Sequence, residues 1–184
     1  MKKQLPKLVS HFNSGYGLLL KSLKCLIIMA FFAIPDFSHA QLIQLGTGTA
    51  VNGATATGPV NIYFRRTVQQ FVYTAAEINL QGISGACTID QLGFYITNAP
   101  IYAIPNYTIK MGNVTQANVA TAIPAASLSQ AHNIASYTPV AGNWQMLTLT
   151  TPFSWDGVSN IGIELCWDQV QPNYDASGQV RVYT

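Results

Sequence analysis

The sequence predicts an all-β fold, a β-sandwich of jelly-roll type preceded by an N-terminal signal helix. Three observations carry that reading. From residue 41 onward, apolar residues recur at every second position in several short runs. Gly, Asn, Asp and Pro separate those runs at fairly even spacing, the pattern of a two-sheet all-β domain. Sixteen threonines lie between residues 41 and 184, a composition that suits half-buried pleated surfaces better than helices.

Residues 1–40 read as a secretory signal peptide. Lys2, Lys3, Lys7, Lys21 and Lys24 form a positive leader without acids. Cys25 to Ile34 is an apolar run of ten residues, closed by Pro35, and Ser38-His39-Ala40 supplies a cleavage site before Gln41. A bilayer-spanning helix needs about 17–25 apolar residues, so the run is too short for an anchor. The expected address is secreted or outer cell surface, with the membrane met only transiently through the signal.

The β domain is expected over 41–184. A short apolar start at Gln41–Leu45 precedes a loop or weak edge strand to Gly58, and Val60–Phe64 alternates as a strand. Phe71–Tyr73 runs into Thr74-Ala75-Ala76-Glu77, the S/T-x-x-E spacing of a capping box, and Gly82 and Gly85 keep that helix brief. Leu92, Phe94 and Ile96 form one strand face, and Tyr107, Ile109 and Met111 another. The small residues of 113–133 read as a long loop. Trp144–Thr150 is a strand, Asp156-Gly157 a turn, and Ile161, Ile163, Leu165 and Trp167 alternate with Gly162, Glu164, Cys166 and Asp168. Val180 and Val182 begin a last strand, and its stop at Thr184 reads as truncation within a longer protein.

Removing the signal changes the charge argument. Residues 41–184 keep Arg65, Arg66, Lys110 and Arg181 against Glu77, Asp90, Asp156, Glu164, Asp168 and Asp175, a formal charge of −2. The basic balance belongs to the leader, so nucleic acid is excluded as a partner. Cys87 and Cys166 are the two cysteines past the signal. In an exported chain they are a candidate disulfide, and the alternative is two buried thiols.

Recognisable catalytic chemistry is absent from the pattern. His132 is the one histidine after residue 40, and no acid stands near it in sequence. There is no G-x-S-x-G elbow, H-E-x-x-H or C-x-x-C, and no phosphate-binding glycine loop, so neither a cofactor nor a metal is expected. Glu164 and Asp168, with Asp156 and Asp175, are the carboxylates a glycosidase could use. Asp156, Asn160, Asp168, Asn173 and Asp175 bring calcium-type oxygens close in sequence, without EF-hand spacing. Asn106-Tyr107-Thr108 and Asn113-Val114-Thr115 match the N-glycosylation pattern. Aromatics are the remaining resource: Trp144, Trp155, Trp167, Tyr95, Tyr102, Tyr107 and Tyr174 could stack on a sugar, Trp144 and Trp155 being the leading candidates. Aromatics at strand spacing are usually core, and Trp167 is expected to be buried. Trp155, beside the turn, is the one most open to exposure, although packing is favoured there too.

The run Ser136–Gln169 resembles a β-sandwich module of secreted Bacteroidota proteins that carry a type IX secretion sorting domain. The matching positions are Trp144, Pro152, Phe153, Trp155, Gly157, Asn160, Ile161, Cys166, Trp167 and Asp168. Tyr73–Ile78, Gln91–Tyr95 and Ile109–Met111 extend the likeness over about residues 60–184. The resemblance implies a large modular protein, secreted or displayed at the surface, although the sorting domain itself is missing from this sequence. The expected function is a non-catalytic extracellular module in adhesion or an accessory role, with a polysaccharide or a surface protein as partner. The alternative is a carbohydrate-binding module attached to a secreted hydrolase, marked by two or more aromatics in a solvent-facing row on one sheet.

Overall fold

A computed structural model describes residues 40–53 and 58–182. The expected signal segment lies outside those residues except for Ala40, which is exposed, as is Gln41. The β-rich unit spans Ile43–Thr184.

Among the described residues eight strands form it: β1 Ala50–Val51, β2 Arg66–Tyr73, β3 Cys87–Asn98, β4 Ile104–Val114, β5 Ser129–Tyr137, β6 Asn143–Trp155, β7 Asn160–Asp168 and β8 Gln179–Val182. They make two four-stranded sheets, ordered β1-β8-β3-β6 and β2-β7-β4-β5. Every ladder is antiparallel, and β1 pairs β8, β2 pairs β7, β3 pairs β6 and β4 pairs β5. The chain is therefore one long hairpin rolled up on itself, which is the jelly-roll connection.

The helix α1, Ala75–Leu80, forms where the capping box expects it. Thr74 Oγ1 accepts from the Glu77 amide at 3.2 Å, and the Glu77 carboxylate accepts from the Thr74 amide at 2.7 Å. Its one buried residue is Ile78, so the helix plugs rather than spans the core.

Core residues come from alternate positions of both sheets. Ile96, Leu149 and Val180 face Tyr107, Ile109, Met111, Ile163, Leu165 and Trp167, all of them buried. Each such aliphatic side chain contributes about 1.5–3 kcal/mol on burial. Two expectations give way. Residues 60–64 are turn and bend rather than strand, although Val60 and Ile62 sit in the core. The alternation there reports loop packing. Conversely, β5 and the end of β4 take the two ends of the expected 113–133 loop, while 115–128 carries only the short 3-10 turn Ala125–Ser127. The edge strand β5 carries mostly small and polar side chains, so it lacks an apolar stripe.

The connection between β4 and β5 folds back over one end of the second sheet's outer face. There Ile123 and Leu128 bury with Val114 and Val72 in a small separate cluster. Gly112 permits the approach, since a Cβ at that position would lie 1.9 Å from the Ser127 carbonyl oxygen.

Candidate functional site

Strand parity decides which side chains reach solvent. On β7 the core residues are Ile161, Ile163, Leu165 and Trp167, which leaves Glu164, Cys166 and Asp168 on the outer face. Neighbouring strands add Arg66, Val68 and Gln70 from β2 and Lys110 from β4. A shallow groove of about 530 Å³ opens here, lined by Arg66, Thr67, Val68, Asn106, Cys166, Trp167 and Asp168.

The charged groups on this face are engaged with each other. Lys110 Nζ lies 2.7 Å from Glu164 Oε1, and Gln70 Nε2 donates to Glu164 Oε2 at 2.8 Å. Burial pushes the Glu164 carboxyl up, but the hydrogen bonds from Lys110 and Gln70 and the Lys110 charge outweigh it and leave a lowered pKa. Arg66 Nε contacts Asp168 Oδ1 at 3.1 Å in solvent. Glu164 and Asp168 share a face but stand four residues apart along an extended strand, about 13 Å. Glycosidase carboxylates are about 5–9.5 Å apart, so this pair does not have that geometry.

The other candidates are dispersed. His132 Nδ1 lies 2.7 Å from Thr150 Oγ1, bridging β5 and β6. Asp156 accepts from the amides of Val158 and Ser159 and from the Ser159 hydroxyl, shaping the turn before β7. Those bonds, led by the Ser159 hydroxyl, lower its pKa. Asn160 accepts from the Ala75 amide and donates to the Gln116 carbonyl. Asp175 binds the Ile101 amide and Ser177. Among the described residues, no three His, Cys, Asp or Glu side chains cluster as metal ligands.

Two sequence expectations are corrected. Cys87 and Cys166 are free thiols. Cys87 packs against the inter-sheet core from β3, whereas Cys166 stands on the outer face of the opposite sheet. The second sheet therefore lies between the two thiols, and Cys166 points away from Cys87. Trp155, the indole the turn made most open to exposure, packs as the favoured reading had it but ranks below Trp144 in exposure: it is 1 % exposed, and its Nε1 donates to the Ser159 carbonyl at 2.7 Å. The turn it adjoins wraps around it.

Trp144 is the indole that reaches solvent, 43 % exposed, while Trp167 is buried. It lies on the outer face of β1-β8-β3-β6, directly across from Tyr95 on β3. The two rings meet edge to face, 5.8 Å between centroids. Met146, two residues along β6, covers Gly93, and the Arg181 guanidinium lies over Tyr95. The chain matches no family model, no curated protein and no solved structure. The site therefore stands on its own geometry.

Arg181 and Met146 were not singled out by the sequence. The available signal was parity: Tyr95 alternates against Phe94 and Ile96, and Trp144 against Leu147 and Leu149. A second aromatic group, Tyr63, Phe64 and Tyr174, is exposed where two loops meet at one end of the sandwich. Two of its members follow the buried Val60 and Ile62, so burial period alone did not set them apart.

Proposed function

We propose that this chain is a non-catalytic β-sandwich module of an exported protein, secreted or held at the outer cell surface, with an adhesive or accessory role. The observation that carries the reading is the exposed Trp144 indole beside the half-buried Tyr95 on an open sheet face. Large aromatics on a soluble domain lose free energy by facing water, and a binding partner recovers it. The other sheet covers part of its outer face with its own β4–β5 connection, and its carboxylates are held in ion pairs rather than aimed at a common point.

A second reading, carbohydrate binding, is favoured by the same pair. The Trp144 indole presents aromatic surface to the apolar face of a sugar ring, with Tyr95 buttressing it edge to face. Jelly rolls include lectin domains, an analogy of fold alone.

Two measurements test the proposal. N-terminal sequencing of the protein recovered from medium or cell surface should begin at Gln41; an intact leader on cytoplasmic protein overturns export. Affinity electrophoresis against a polysaccharide panel should show retardation that Trp144→Ala removes and Tyr174→Ala keeps. Retardation lost only in Tyr174→Ala would place the ligand at the loop end and overturn the sheet-face reading.

A further inference from the structure

The outer face of β1-β8-β3-β6 carries one transverse row that crosses all four strands. Val51 on β1 is in register with Arg181 on β8. The Arg181 guanidinium carbon lies 3.6 Å from the centroid of the Tyr95 ring on β3. Tyr95 in turn is in register with Trp144 on β6. The Tyr95 hydroxyl donates to the Gly142 carbonyl at 3.0 Å, which fixes the ring that supports the guanidinium. From β8 to β6 is two strand spacings, about 10 Å.

Charge gives the row its chemistry. Among the described residues Arg66 and Lys110 have carboxylate partners, Arg65 and Arg181 form no ion pair, and Arg181 is the basic residue on the strands of this sheet. The nearest acid on β3 is Asp90, five residues from Tyr95 and so roughly 16 Å along the strand. Stacking on a ring occupies the flat face of a guanidinium and leaves its edge N–H donors free, a fork that matches a carboxylate or sulfate. The domain as a whole is mildly acidic, so a polyanion gains nothing from the average field and needs a local cation.

We propose that this row binds an acidic polysaccharide, with one sugar ring stacked on the Trp144 indole and the carboxylate or sulfate of a nearby unit held by Arg181. The proposal rests on the carbohydrate-binding reading and adds the ligand's charge. Exposed Met146 and Val51 flank the row and supply apolar contact at either end.

The test uses two matched pairs, polygalacturonate with its full methyl ester and dextran sulfate with dextran, titrated against the purified protein. The expected result is tighter binding of at least one acidic member than of its neutral partner, by about tenfold, falling as salt rises. The two pairs tell carboxylate from sulfate. Arg181→Gln should remove that tenfold preference, so that acidic and neutral members bind alike, with thermal unfolding confirming an intact fold. Trp144→Ala should abolish binding of both members, and Trp144→Phe should restore part of it. Equal affinity within both pairs, or an Arg181→Gln protein that keeps the preference, overturns the acidic ligand and leaves carbohydrate binding standing. No binding to any of the four or to neutral glucans overturns both.

Discussion

Lys110 and Glu164 face each other across the β4–β7 ladder, 2.7 Å between Nζ and Oε1, with the Glu164 side chain 8 % exposed. Gln70 completes the row from β2. Lys110→Met leaves a shielded carboxylate with one neutral donor. The expected cost is roughly 1–3 kcal/mol, below that of a fully buried pair because Lys110 is partly solvated. Urea unfolding at neutral pH measures it.

The same pair sets a pH dependence. The Glu164 pKa is lowered in the fold, so its contribution is present above the ordinary value of 4.5 and lost as pH falls through the folded value. The Lys110 pKa is raised, first by its hydrogen bond to Glu164, so that contribution is present below 10.5 and lost as pH rises through the folded value. Stability from the pair should be flat between those limits. The gap between native protein and Lys110→Met should close in acid, where Glu164 is protonated in both. A gap that persists in acid would falsify the electrostatic account.

Gly157→Ala should destabilise severely. Gly157 has φ +83°, and a Cβ there would lie 2.4 Å from the Gly85 carbonyl carbon. The left-handed backbone alone costs about 1–2 kcal/mol for an L side chain, and the backbone collision adds to it. A melting temperature within error of the native protein would show that the turn is not held this way.

Tyr107→Phe should be neutral or stabilising. Tyr107 is fully buried against Tyr137 and Trp167, and its hydroxyl has no hydrogen-bond partner in the protein. Burial pushes its pKa well above 10.0, and that of Tyr137 up to about 12. Removing a buried, unpartnered hydroxyl while keeping the ring removes a desolvation cost. A loss above about 1 kcal/mol would mean that the hydroxyl is satisfied in solution.

Cys87 and Cys166 should both alkylate in denaturant without reductant, and reduction should leave the mass of their peptides unchanged. The Cys87 thiol should react the more slowly in the native protein, because burial raises its pKa. A bridged peptide by mass spectrometry would overturn this.

Thr74→Ala should cost about 1 kcal/mol by removing the hydroxyl that accepts from the Glu77 amide at 3.2 Å. Thr74→Ser should restore it, as read by chemical denaturation.

The sequence by itself determined the all-β class, the sandwich, the brief capped helix and the Asp156-Gly157 turn. These are local: a period of two, a four-residue capping spacing and a glycine that accepts positive φ are all written in neighbouring residues. It also held more than was drawn from it, since the alternation that puts Leu165 and Trp167 inward already sends Cys166 outward, away from Cys87. Tertiary structure decided the rest. The alternation of Val60 and Ile62 proved to be loop packing, and β5 became a strand because β4 offered it a ladder. Trp155 and Trp144 are both indoles at strand ends in the sequence. One is buried by the turn that wraps it, while the other stands beside Tyr95 on an uncovered face. Arg181 joins that row from the last strand, because the rolled hairpin brings β8 beside β3. Residues 86 positions apart meet only when that sheet has formed, and no local pattern encodes its register.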